Sequence, residues 1–226
     1  MIKGKFIVID GIDGSGKATQ TNFLVERLKK EGFAVEVADF PQYGKKSAAL
    51  VEEYLEGKFG KVNDVDPYIA SLFYACDRYE ASFKIKKWLE EGKIVVANRY
   101  ISSNIGHQGA KLEDGKEKNE YFEWLENMEF NIFKIPKPDL TIILYVKPEI
   151  GQKLVDQKAN YRDYLGEKKR DIHEENLKHL IDASNSYLYA ARKFNWIVID
   201  CLEKNHLKSK EEIHNLIWEK IRNILK

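Results

Sequence analysis

The chain has 226 residues, of which 43% are hydrophobic and 32% charged, and its formal net charge is +1. These values describe an ordinary soluble globular protein, long enough for one α/β domain with a substantial core. The near-neutral charge argues against nucleic acid or an anionic membrane as a partner, so that any anion site must be local.

Two cysteines, Cys76 and Cys201, are too few for a disulfide framework and lie outside any metal-ligand spacing. They are typical of small buried residues in a reducing compartment. The N-terminus enters a short strand without a secretory h-region, and no apolar run reaches membrane-spanning length. We therefore expect a cytoplasmic protein. The five histidines show no paired metal spacing, so the sequence predicts no zinc site.

The first predicted elements are a β-strand, a glycine-rich turn and a helix. The turn follows Asp10 and fits the P-loop pattern G-x-x-x-x-G-K, except that Ala18 stands where Ser or Thr usually ligates Mg²⁺. Glycines let backbone N–H groups surround an anion, and the new helix points its positive end at the same place. We expect phosphate binding through the turn and the start of the helix, that is, Gly11, Asp13, Gly14, Ser15, Gly16, Lys17, Ala18 and Thr19.

Further along the chain, strands and helices alternate. The other predicted strands are residues 33–38, 94–97, 140–146 and 196–200. The later predicted helices are 47–55, 67–90, 120–133, 148–158, 171–194 and 209–225, with 101–109 as a loop or helix start and 112–118 as a charged loop. This alternation predicts an α/β fold in which a five-stranded parallel sheet is covered by helices on both faces.

Two arginines stand out on these elements. Tyr74 and Arg78 project from one face of the long helix, where a ring and a guanidinium suit a nucleobase, although such pairs are more often surface packing. Arg99 directly follows a buried strand beside the P-loop. A charge there needs an anionic partner, which is either a ligand phosphate or a structural salt bridge.

Residues 158–170 form a basic segment interrupted by a glycine. A charge run of this kind is usually a solvated loop, yet a basic lid is also what phosphoryl transfer needs, because it neutralises developing charge. Its cations are Lys158, Arg162, Lys168, Lys169 and Arg170.

Taken together, these features resemble the thymidylate kinases, within the P-loop nucleoside monophosphate kinases. The resemblance runs through nearly the whole chain and implies the P-loop NTPase fold, as one kinase domain over 1–226 with a lid at about 158–170. The segments that carry it are FIVIDGIDGSGKATQ (6–20), FPQY (40–43), FYACDR (73–78), NRY (98–100) with Ser103, Asn104 and Gln108, PDL (138–140), RDIHE (170–174) and VID (198–200).

The resemblance implies transfer of the γ-phosphoryl group of ATP to dTMP, which gives dTDP without a general base. The P-loop residues would then bind ATP. Phe40 and Tyr74 would contact the thymine, Asp13 the 3′-hydroxyl, and His107 would lie where a ribose 2′-hydroxyl would protrude. The implied catalytic cations are Lys17, Arg99, Arg162 and Arg170. The implied acceptor-binding residues are Asp13, Phe40, Pro41, Tyr43, Tyr74, Arg78, Arg99, Asn104, His107 and Gln108.

The resemblance also implies Mg²⁺ as cofactor, and two residues depart from the family pattern at that component. Ala18 lacks the hydroxyl of the P-loop, and Asn98 replaces the usual aspartate before Arg99. Both changes remove oxygen or negative charge that a magnesium ion favours. Asp13 and Glu174, with Asp10, are the acidic residues expected to hold the metal through water.

Three further expectations concern Gly14, a proline bond and assembly. Some family members carry an arginine at the position of Gly14, and those that lack it carry basic residues in the lid, as this chain does. Phe40–Pro41 is expected to be a cis peptide, since a tight ligand loop tolerates one. A homodimer through apolar faces of the early and long helices is also implied.

Two alternative functions stay open from the sequence. The chain would be a kinase of another nucleotide or of a deoxynucleoside, if the acceptor pocket differs from that of the family. It would instead be a nucleotide-binding regulator without turnover, if Ala18 and Asn98 abolish metal binding.

Overall fold

The computed structural model describes residues 4–113, 115–157 and 171–225. The strands of the main sheet are β1 (Lys5–Asp10), β2 (Val35–Asp39), β3 (Ile94–Asn98), β4 (Leu140–Tyr145) and β5 (Ile197–Asp200). The helices are α1 (Lys17–Lys30), α2 (Ala49–Glu56), α3 (Pro67–Glu90), α4 (Ile101–His107), α5 (Lys116–Glu126), α6 (Pro148–Gln157), α7 (Leu177–Phe194) and α8 (Lys210–Ile221). The segment 158–170, predicted as the basic lid, lies outside the described residues.

The five strands form a parallel sheet in the order β2-β3-β1-β4-β5, as the sequence predicts. β1 is central and pairs with β3 on one side and β4 on the other. Because Ile9 lies opposite Asn98, the turn after β1 and the Asn98–Arg99 corner after β3 meet at one edge of the sheet. Ligands of open parallel sheets bind at this carboxyl edge.

Helices cover both faces of the sheet, which confirms the predicted layers. Side chains alternate along β1, so that Phe6 and Val8 enter one core and Ile7 and Ile9 enter the other. All four are fully buried. The first core is completed by α3, α4 and α5, and the second by α1, α7 and α8. No helix in the part of the chain that the structure describes combines the length and the apolarity that crossing a membrane requires.

The predicted helix over 171–194 is wrong in its first six residues. α7 begins at Leu177 because the side chain of Asn176 accepts the backbone N–H of His179 and caps the helix there. Residues before it form a turn in which Asp171 accepts the N–H groups of His173 and Glu174. This turn brings Asp171, His173 and Glu174 to the edge of the sheet that carries the loop.

Two other regions differ from the prediction. α5 begins at Lys116, inside the stretch expected as a charged loop, and buries Lys118 beside the ring of Tyr189. It continues as a π-helix over Asn127–Ile132. A short antiparallel hairpin follows β5 and was not predicted. Its two strands, β6 (Leu202–Glu203) and β7 (His206–Leu207), have two residues each.

Candidate active site

The turn between β1 and α1 has the backbone of an anion-binding loop. Gly11, Gly14 and Gly16 have φ values of 144°, 79° and 90°, which L side chains rarely adopt. A Cβ atom on Gly11 would lie 2.5 Å from the carbonyl oxygen of Leu144 on β4. The Nζ of Lys17 donates to the carbonyl of Ile12 at 2.8 Å, so the lysine is held within the loop.

Gly14 lies against the first turn of α6. A Cβ atom on Gly14 would approach the carbonyl oxygen of Gly151 to 2.0 Å, and one on Gly151 would lie 2.6 Å from the carbonyl oxygen of Asp13. Both glycines are therefore needed for the contact. An arginine side chain at position 14 has no room in this packing.

An ion cluster lies at the mouth of the loop. The Asp13 carboxylate pairs with the Arg99 guanidinium, and the Lys17 Nζ lies 3.8 Å from it. Burial would raise the pKa of Asp13, but Arg99 and then Lys17 hold that pKa well below its usual range. Arg99 has a positive φ of 66°, a strained conformation of the kind that recurs at ligand sites. The arginine therefore has both a structural anion and access to the pocket.

Asp10 lies behind this cluster and organises it. Its carboxylate is fully buried and accepts hydrogen bonds from the hydroxyls of Ser102, Ser103 and Tyr187, at 2.6 to 2.9 Å. It also accepts the N–H of Gly11 at 2.8 Å. These bonds tie the start of α4 and the middle of α7 to the end of β1.

A cavity of about 280 Å³ opens from the loop along the carboxyl edge of the sheet. Most of the predicted site residues line it, namely Asp13, Gly14, Gly16, Lys17, Ala18, Phe40, Pro41, Tyr43, Tyr74, Arg78, Arg99, Asn104, His107, Gln108 and Glu174. Of the other predicted residues, Gly11, Ser15 and Thr19 are in the loop or helix but do not line the cavity. Arg162 and Arg170 lie outside the described residues.

Arg78 is buried in the cavity wall and is held by Glu129, a residue that no sequence pattern had selected. Its Nε and Nη2 donate to the Glu129 carboxylate at 2.7 and 2.6 Å, and its Nη2 donates to the Asn104 amide oxygen at 2.9 Å. Burial lowers the pKa of Arg78, but Glu129 more than offsets this and raises it above its ordinary value. Glu129 lies on the π-helix, and such insertions are frequent at functional sites.

The loop over residues 40–43 forms another part of the cavity wall, through Phe40, Pro41 and Tyr43. Its Phe40–Pro41 bond is cis, which confirms the prediction. Asp77 on α3, itself buried, accepts the backbone N–H of Gln42 at 2.9 Å and the hydroxyl of Ser47 at 2.6 Å. Asp77 thus fixes the loop to the helix that also carries Tyr74 and Arg78.

Four buried polar atoms of residues that line the cavity have no hydrogen-bond partner among the described residues. They are the Oδ1 of Asn98, the Nδ2 of Asn104, the Oε1 of Gln108 and the Nε2 of His107. Buried polar groups in native proteins are nearly always bonded, so that unpartnered ones on cavity-lining residues favour a polar ligand. A nucleoside offers both donors and acceptors for them.

The residues at the mouth fit a magnesium ion in part. Asn98 donates from Nδ2 to the Asp39 carboxylate at 2.7 Å, and its buried amide oxygen has no protein partner. Asp39 and Glu174 both line the cavity with carboxylates. Burial raises the pKa of Asp39. Oxygen donors suitable for Mg²⁺ are therefore present even though Ala18 supplies none.

The structure also corrects the view that the histidines are unrelated. His107, His173 and His179 are buried together, with potential ligand atoms within 4.8 Å of one another. Sequence spacing could not reveal this, because the three residues come from α4, the turn at 171–176 and α7. Asp77 and Glu129 were missed for the same reason, since each acts across elements.

Fold and site together define a P-loop nucleotide-binding protein. The phosphate loop opens into a cavity whose lining includes two arginines, Arg99, which pairs with Asp13 of the loop, and Arg78, which is almost fully buried. This arrangement suits two nucleotides. One would bind with its phosphates in the loop, and the other would lie in the cavity with its phosphate beside the loop.

The chain belongs to the thymidylate kinase family, whose model matches residues 9–217. It is 32% identical over 225 residues to a probable thymidylate kinase of Methanocaldococcus jannaschii, covering 99% of both chains. It is 28% identical to a thymidylate kinase of Danio rerio, over 99% of this chain and 92% of the relative. The structure of thymidylate kinase from Candida albicans is similar, with a TM-score of 0.73 and 25% identity over 98% and 92% of the two chains. This chain is therefore a nucleoside monophosphate kinase that phosphorylates dTMP to dTDP.

Proposed function

We propose that this kinase aligns ATP and dTMP for in-line transfer of the γ-phosphoryl group, with the residues of the cavity in the roles given below. The observation that carries this proposal is the single cavity that joins the P-loop to Tyr74 and Arg78. The acceptor is itself a phosphate oxyanion, so the reaction needs no general base. Catalysis then consists of alignment and charge neutralisation.

The donor phosphates lie in the glycine loop, where backbone N–H groups and Lys17 bind them. Arg99 binds the acceptor phosphate, and its bond to Asp13 fixes the guanidinium beside the loop before substrate arrives. Arg162 and Arg170, outside the described residues, complete the proposal as cations around the transferring group. Each cation neutralises negative charge that develops on the equatorial oxygens.

The acceptor nucleoside occupies the deep end of the cavity. Tyr74 stacks on the thymine, Phe40 packs on its edge, and Arg78 donates to a base carbonyl. Asn104 and Gln108 offer their unpartnered amide atoms to the base or sugar. Asp13 is placed to accept the 3′-hydroxyl.

Bound Mg²⁺ would neutralise phosphate charge on the donor side. Asn98 Oδ1, Asp39 and Glu174 are the residues that would hold it, directly or through water, with Asp13 as a further carboxylate. Asn98 serves here as a donor that orients Asp39, which the aspartate usual at this position could not do.

The acceptor is tested by labelled ATP with dTMP, UMP, CMP and thymidine in parallel, at a series of Mg²⁺ concentrations. We expect dTDP to be the preferred product. The Candida albicans enzyme is described as broadly specific, so appreciable turnover of other monophosphates would extend the acceptor range. Turnover of thymidine alone, or no turnover at any Mg²⁺ concentration, would refute the proposal.

Replacing Tyr74 by alanine is expected to weaken dTMP binding by roughly 5- to 150-fold, since stacking on an aromatic ring contributes about 1–3 kcal/mol. ATP affinity should stay nearly unchanged, because Tyr74 lies on α3, away from the loop. Isothermal titration with each nucleotide measures both. Tyr74→Phe is the matched control and should retain dTMP affinity. Equal losses for both nucleotides would assign Tyr74 a structural role.

We also propose that the kinase is a cytoplasmic homodimer. Its thiols are free in the structure, which suits a reducing compartment. α3 exposes an apolar stripe of Ile69, Cys76, Tyr79 and Phe83. Residues 69, 76 and 83 are seven apart and therefore lie on one helix face. A second copy of the chain is the occupant proposed for that face.

Phe83→Lys is expected to shift the protein from dimer to monomer, because it places a charge at the most exposed large side chain of the stripe. Light scattering coupled to size exclusion measures the mass at several concentrations. Leu207→Lys, on the exposed β7, is the control and should leave the mass unchanged. A Phe83→Lys protein that remains dimeric would place the interface elsewhere.

A further inference from the structure

His107, His173 and His179 form a buried cluster, and of these only His107 was expected to lie near the acceptor sugar. The side chains come from the last residue of α4, from the turn that precedes α7, and from the first turn of α7. All three are at least 95% buried. We infer that they form a site for one divalent transition-metal ion of the Zn²⁺ type, separate from the magnesium of the phosphoryl transfer.

The first observation is the spacing of the ring nitrogens. Nδ1 of His107 lies 3.4 Å from Nε2 of His179 and 3.4 Å from Nδ1 of His173. Tetrahedral zinc with Zn–N bonds of about 2.0–2.1 Å separates its ligand nitrogens by about 3.3–3.4 Å. The three nitrogens therefore already have two edges of the expected tetrahedron.

The second observation is that hydrogen bonds between the rings cannot account for both contacts. A ring nitrogen carries either one proton or one lone pair in the ring plane. Nδ1 of His107 faces two nitrogens at the same distance, and it can form an ordinary hydrogen bond with only one of them. A cation among the three nitrogens takes one lone pair from each and satisfies all of them.

The surroundings fit ligation by neutral imidazoles. If His173 binds through Nδ1, its Nε2–H donates to the hydroxyl of Tyr54, 3.1 Å away. A ligating histidine typically donates its other N–H in this way, which fixes the ring.

The charged residues near the cluster include both signs, so together they neither attract nor repel a cation strongly. Asp13 and Asp182 attract a cation, whereas Lys111, Arg99 and Lys17 oppose it. Nitrogen ligands select a transition metal over Mg²⁺, which requires oxygens. Three protein ligands leave the fourth coordination position for water. Two of the ligands, His107 and His173, also line the nucleotide cavity.

Absorption spectroscopy of the full chain, freed of metal with a chelator and titrated with Co²⁺, tests this site. We expect one equivalent of Co²⁺ to give the intense d–d bands of tetrahedral coordination, and one equivalent of Zn²⁺ to abolish them. His107→Gln, His173→Gln and His179→Gln should each weaken binding by more than the roughly 10–100-fold loss typical of a lost outer partner. His206→Gln, on the exposed hairpin, is the control and should bind like the parent.

Proton NMR of the Co²⁺-loaded parent protein avoids dependence on variants that fail to fold. Three hyperfine-shifted, exchangeable imidazole N–H signals are expected. The inference is overturned if the parent shows no tetrahedral spectrum at one equivalent, if fewer than three imidazoles are shifted, or if the folded glutamine variants bind like the parent. None of these readouts depends on kinase activity.

Discussion

Replacing Lys17 with alanine is expected to reduce dTDP formation by about 10³-fold, which abolishes turnover in a standard assay. Removing one preorganised donor from a developing oxyanion costs roughly 10²–10³-fold in other enzymes, and in the proposed mechanism Lys17 lies where the donor and acceptor phosphates meet. The measurement is the steady-state rate with saturating ATP and dTMP.

The fold should survive this change. The hydrogen bond from Lys17 to the carbonyl of Ile12 is of a kind that contributes about 0.5–1.5 kcal/mol. Asp13 keeps its partner Arg99 when Lys17 is removed. Lys30→Ala, at the exposed end of the same helix, is the matched control and should retain full activity. Near-normal turnover by the Lys17→Ala protein would disprove the proposed mechanism.

Replacing Glu129 with leucine should be the most destabilising single change of the acceptor pocket. In the variant the Arg78 guanidinium stays buried but loses the Glu129 carboxylate. Of its acceptors among the described residues, the Asn104 amide oxygen remains. Breaking a buried ion pair by removal of one partner typically costs about 3–5 kcal/mol. Urea unfolding of the variant and the parent measures the free energy of unfolding.

A double replacement, Arg78→Met with Glu129→Leu, separates stability from binding. Substituting both members of a buried ion pair by apolar residues is often neutral for stability, so we expect most of the free energy of unfolding to return. Affinity for dTMP should stay low because the base loses its guanidinium donor. A stable double variant that binds dTMP like the parent would show that Arg78 serves only the fold.

Sequence periodicity was sufficient for the sheet, since strands buried on both faces appear as short apolar runs such as Ile94 to Ala97. It failed where one side chain decides a boundary, as Asn176 does at the start of α7. It also gave no indication of the π-helix, which depends on local packing after α5 rather than on a repeat.

Residues of the candidate site could be predicted from the sequence where they belong to contiguous motifs. The P-loop, the cis Phe40–Pro41 bond and the Tyr74–Arg78 spacing are of this kind. Glu129 and the three clustered histidines are not, because their partners lie 51 to 72 positions away along the chain. Only the folded topology brings such residues together.

The contact between Gly14 and Gly151 also has an evolutionary consequence. With backbone atoms this close, neither position can gain a side chain while the other element stays in place. A family member with an arginine at the position of Gly14 is therefore expected to have a displaced or differently built helix where α6 lies here. Positions 14 and 151 are expected to change together across the family, so that sequences with glycine at one position should also have glycine at the other.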